Sequence, residues 1–155
     1  MIGAMMLKMA MNSGTAEMNS RDVNRLLKNW TEDAVLIYPG NMPFSGEIKG
    51  KPMLRAFFEI YYDQFPTMNF ERENAFISNL GALGLTNAVA MEVKVNYTNK
   101  FGKAFENSVM SCLKIKRGKV WYDKDYYHDV DLLEEAWEGA DLTKLDPFLG
   151  DCQRT

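Results

Sequence analysis

The chemistry this sequence could do rests on a few ionisable side chains in its second half. Asp125 stands in the run Lys124-Asp125-Tyr126-Tyr127. A carboxyl held in a pocket among Trp, Tyr and Phe side chains is desolvated; its pKa rises and it can give or take a proton near neutrality. Glu92 and Lys94 lie two residues apart in an alternating segment, so on a strand they share a face. There Lys94 could hold Asp125 ionised or steady an oxyanion while Glu92 moves a proton. Two plainer placements stay open. Asp125 could be a structural acid bonded to Lys94 or to a backbone amide. Glu92 and Lys94 could lie on a solvated strand face, which alternation alone favours. His128 is the only histidine and so the natural proton carrier at pH 7. Nothing identifies a nucleophile beside it, and a lone histidine is more often a capping or surface residue.

The same inventory excludes other chemistries. Cys112 and Cys152 form no CxxC or Cys/His spacing, and no Gly-rich phosphate loop occurs. Neither a metal nor a cofactor is expected. Two thiols without a disulfide framework point to the cytoplasm. A net charge of −3 argues against a nucleic-acid partner, which needs clustered Lys and Arg. No stretch is long and apolar enough to span a bilayer, so no membrane partner is expected. The Met-rich start, with Lys8 inside the apolar run, reads as a first helix rather than a secretory leader.

The elements that must position these residues follow from periodicity. A chain of 155 residues suits one domain, here 1–138, with a polar tail over 139–155. Leu7, Ala10, Met11, Gly14 and Met18 suggest a first helix. A second, short helix is expected, capped by Ser20 with Asp22 in its first turn and Val23, Leu26, Leu27 and Trp30 as its stripe. Short strands are expected over Ala34–Tyr38 and Phe44–Ile48. Pro52 then opens a helix whose Leu54, Phe57, Phe58, Tyr61, Tyr62 and Phe65 recur at helical spacing. Strands follow near Asn69–Ser78, Ala88–Thr98, Lys103–Lys116 and Lys119–Tyr127, joined as hairpins, and a helix over Val130–Glu138 closes the domain. Helices followed by a long antiparallel meander make an α+β fold.

Local motifs then carry a resemblance. Trp30-Thr31-Glu32-Asp33-Ala34-Val35, Tyr38-Pro39-Gly40-Asn41, Ser45-Gly46, Gly50, Ala56-Phe57-Phe58, Gly102-Lys103, Gly118-Lys119-Val120 and Lys124-Asp125-Tyr126-Tyr127 occur in that order. In order and spacing the chain resembles the nuclear transport factor 2-like superfamily, and within it the SnoaL-like polyketide cyclases, limonene epoxide hydrolases and ketosteroid isomerases. The resemblance implies a cone-shaped α+β barrel: a strongly curved, mostly antiparallel six-stranded sheet packed on helices around a pocket, often dimeric through the sheet's outer face. It implies that Asp125 faces the pocket, and that Tyr38, Asn96, Asn107, Val109 and Tyr127 line it. At the positions of Glu92 and Lys94 the epoxide hydrolases carry an Arg and an Asp, so the signs are reversed here. The implied function is a cofactor-free acid–base enzyme, of isomerase, cyclase or epoxide hydrolase type, acting on a small apolar or polycyclic molecule. The alternative is a non-catalytic binding or dimerisation domain, because this fold hosts both. With Glu92 and Lys94 pointing inward, Met91, Val93, Val95 and Tyr97 would lie outside, and a homodimer would be needed to cover them.

Overall fold

A computed structural model describes residues 14–79 and 85–150. The Met-rich run and Cys152 lie outside the described residues. Residues 14–20 are helical (α1). There follow α2 (Val23–Leu27), β1 (Trp30–Tyr38), β2 (Gly46–Lys49), α3 (Lys51–Gln64), β3 (Thr67–Ile77), β4 (Thr86–Thr98), β5 (Ala104–Lys116), β6 (Lys119–Tyr127) and α4 (Val130–Trp137). The six strands form one sheet in the order β2-β1-β6-β5-β4-β3. Every pairing is antiparallel except β1 with β6, which run parallel. This is the mostly antiparallel six-stranded α+β architecture that the sequence suggests.

Local chemistry explains the boundaries. Asp22, not Ser20, caps α2: its carboxylate accepts from the amides of Asn24 and Arg25, while the Ser20 hydroxyl donates to the carbonyl of Glu17. Trp30 already belongs to β1. α3 begins after Gly50, whose φ of +82° a side chain would resist, with Pro52 in its first turn. At its far end the Arg21 guanidinium donates to the carbonyls of Tyr62 and Phe65, where a helix leaves acceptors unpaired. The β5–β6 turn is Arg117-Gly118, both with positive φ, the backbone that matches strand twist in a two-residue hairpin.

The core lies between α3 and the concave side of the sheet. Tyr38, Phe44, Phe57, Tyr61, Phe65 and Trp137 meet there mainly edge to face or tilted. The Gln64 amide donates to the carbonyls of Ala136 and Glu138, tying α3 to α4. Beyond α4, Leu145 is fully buried and Lys144 pairs with Glu59 and Asp63, so this part of the tail docks on α3.

The faces of β4 correct one expectation. Val89, Met91, Val93, Val95 and Tyr97 are buried on the concave side, whereas Glu92, Lys94 and Asn96 alternate with them on the convex side. Burial of apolar surface under α3 outweighs any reason to turn the charges inward. The apolar row is covered from within, and no partner is required to shield it.

Candidate functional site

Inside the concave face lies a cavity of about 400 Å³. Its walls are largely apolar: Trp30 and Leu36 from β1, Phe57, Phe58 and Tyr61 from α3, and Val89, Met91 and Val93 from β4. Polar groups enter it mainly from β5 and β6. Ser111, Asp123, Asp125 and Tyr127 all line it.

A one-residue irregularity in β6 explains why. Ile115 pairs with Val120 and Lys114 with Tyr122, so Trp121 is an extra residue between them. A bulge of this kind reverses which side chains face inward beyond it. Val120 faces the cavity before the bulge; after it, Asp123, Asp125 and Tyr127 do, while Tyr122, Lys124 and Tyr126 lie along the opposite face. Asp125 stands directly across from Ser111, and Tyr127 across from Val109.

The two aspartates form one unit. The Ser111 hydroxyl donates to Asp123 Oδ1 at 2.8 Å. Burial pushes Asp123 up to about 6, against the pull of the Ser111 hydroxyl and the Lys124 amide. Burial, and then the negative charge of Asp123, raise Asp125 well above the usual carboxylate range. Asp125 is only half-buried by surface area, but it borders the cavity, so little bulk water solvates it. Such a pair titrates together and keeps a proton where ordinary carboxylates have lost theirs. Burial likewise raises Tyr38, Tyr61 and Tyr127, so their phenols remain protonated donors. Tyr38 is fixed further by the Trp137 indole N–H, which donates to its hydroxyl at 3.1 Å.

Glu17 lies elsewhere on the cavity wall. It is buried, accepts from the Asn29 amide at 2.8 Å, and is raised chiefly by burial.

Of the residues expected at the site, Asp125, Tyr38, Val109 and Tyr127 line the cavity. Glu92, Lys94 and Asn96 do not, which corrects their assignment. Glu92 accepts from Asn74, and Lys94 pairs with Glu106, both on the convex face. Asn107 is buried on the concave side but is not part of the cavity wall. Its side chain clamps Asp129, donating to the carbonyl at 2.7 Å and accepting from the amide at 3.2 Å, which fixes the entry to α4. His128 is exposed, and its backbone amide donates to the Ser108 carbonyl. Sequence reasoning missed Asp123, Ser111 and Glu17. Asp123 was within reach, because it shares a strand face with Asp125.

The family model for the SnoaL-like domain matches residues 15–122. No curated protein matches the chain. Among solved structures it is similar to an NTF2-like protein of unknown function from Burkholderia pseudomallei K96243, at 12% identity and a TM-score of 0.72, covering 85% of this chain and 97% of that one. It is similar to Bal32a from a soil-derived mobile gene cassette, at 20% identity and a TM-score of 0.69, over 84% and 95% of the two chains. It is also similar to a putative SnoaL-like polyketide cyclase from Jannaschia sp. CCS1, at 12% identity and a TM-score of 0.65, over 85% and 91%. At these identities the likeness is one of fold.

Proposed function

We propose a function from one premise: the chain belongs to the SnoaL-like domain family. On that premise it is a pocket protein that binds a small apolar, ring-bearing molecule and moves a proton on it without a cofactor. One observation carries this reading: Asp123 and Asp125 share a strand face inside an aromatic-walled cavity and are both raised by burial. Between the ordinary aspartate value and its own raised values, such a pair offers an ionised oxygen and a held proton side by side. The ionised oxygen can take a proton from a carbon next to a carbonyl. The held proton, or a phenol of Tyr38, Tyr61 or Tyr127, can then donate to the oxygen where charge develops. Isomerisation, cyclisation and epoxide opening all begin from such an arrangement. The free thiol of Cys112 suits a reducing cytoplasm. Exposed Phe76 and Tyr126 on the convex face suit a twofold contact there.

The test needs no native substrate. β-Tetralone, a flat ring ketone, is incubated with the protein in heavy water, and deuterium exchange at its α-carbon is followed by NMR. Exchange above the buffer rate, lost in Asp125→Asn and in Asp123→Asn, is the expected result. If ring compounds raise the melting temperature but exchange stays at the buffer rate, the protein is a non-catalytic binder. If nucleotides stabilise it and ring compounds do not, the pocket reading fails.

A further inference from the structure

The cavity has a one-sided charge inventory. Among the described residues that line it, Glu17, Asp123 and Asp125 are acidic, and none is Lys, Arg or His. None of these three acids joins a salt bridge among the described residues. The polar groups that the described cavity wall brings to the aspartate pair are neutral: Ser111 from β5, Tyr38 from β1, Tyr61 from α3 and Tyr127 from β6. Among the described residues, none that lines the cavity gives the pair a cation.

The walls add a second, independent feature. Trp30, Tyr38, Phe57, Phe58, Tyr61 and Tyr127 bring aromatic rings to the same space. The face of an aromatic ring is negative and attracts a cation, most strongly where water is excluded. The Asp123 and Asp125 carboxyls, with no counter-ion among the described lining residues, meet rings that also favour positive charge.

We propose that the cavity accepts an apolar molecule bearing an ammonium group, with the ammonium against Asp123 and Asp125 and the carbon frame among the aromatic rings. This rests on the small-molecule reading of the cavity and narrows its ligand class. An ammonium takes the place of the proton that the carboxyl pair otherwise keeps, and supplies up to three hydrogen-bond donors. A neutral alcohol of the same shape gains the rings and one hydrogen bond. A carboxylate of that shape meets like charge, with no cation among the described lining residues to offset it.

The experiment is a titration of the full chain at neutral pH with three probes that share one frame: naphthylmethylamine, naphthylmethanol and naphthoate. Calorimetry should rank the amine about tenfold or more tighter than the alcohol, with the carboxylate weakest. In the double variant Asp123→Asn/Asp125→Asn the amine's advantage should vanish while the alcohol still binds. The order of the three probes on the unaltered protein decides the matter if that variant does not fold. An amine no tighter than the alcohol, or a carboxylate as tight as the amine, overturns the inference and leaves the small-molecule pocket standing. Binding of none of the three overturns both.

Discussion

Strands β4 and β6 flank β5 on either side, yet they present opposite chemistry to the cavity. β4 turns Val89, Met91 and Val93 inward and Glu92 and Lys94 outward. β6 turns Asp123 and Asp125 inward and leaves Tyr122, Lys124 and Tyr126 on the outer face. The first strand obeys burial; the second violates it, at the cost of two desolvated carboxyls. A violation of a local rule at one place in an otherwise consistent fold is where a functional site is expected.

The largest expected effect comes from forcing β4 to imitate β6. Val93→Asp places a carboxyl in the apolar wall with no hydroxyl of the Ser111 kind prepared for it. It should cost about 3 kcal/mol or more, read as a drop in the midpoint of urea unfolding.

The middle effect comes from relieving β6. The folded state holds its aspartate proton more tightly than the unfolded chain does. Stability should therefore fall as pH rises from about 4, where unfolded aspartates ionise, through the raised values of the folded pair. Asp125→Asn removes one charge and the repulsion on the other. At pH 8 it should be more stable than the parent, and below pH 4 the two should barely differ. Melting curves across pH measure both. A melting temperature lowered at pH 8 would instead mark Asp125 as a structural acid.

The smallest effect belongs to the outer face of β4. Glu92→Gln and Lys94→Met should each change stability by no more than about 0.5 kcal/mol, because their partners Asn74 and Glu106 are surface groups. Neither should alter β-tetralone binding in a thermal-shift assay. A change in that binding would place the charged row of β4 back at the site.

These strands also show what could be read from the sequence. The helix at Lys51–Gln64 was legible because its apolar positions repeat over three turns, and β6 was bounded correctly by the Arg117-Gly118 turn. Alternation on β4 was legible too, but it says which residues share a face, not which face is inside. The inward choice follows from where α3 lies, and that is a tertiary fact. The bulge at Trp121 has no composition signal, so Asp123 could be brought to the cavity only through the strand face it shares with Asp125. Ser111 and Glu17 come from separate elements, and only the closed fold brings them to the same wall.

The parallel pairing of β1 with β6 has a consequence in time. It joins the early part of the chain to the late part, Val35 to Tyr122 and Ile37 to Lys124, whereas β3 to β6 pair as successive neighbours. Contacts between distant parts of a chain bear a larger loop-closure entropy and form late. The meander can assemble first from its hairpins; β1 then has to find the free edge of β6. Leu36 and Tyr38, which wall the cavity beside Asp123 and Asp125, arrive only with that last strand. Refolding from denaturant should therefore regain strand signal before it regains ligand binding, with the interval set by the search of one strand for one edge.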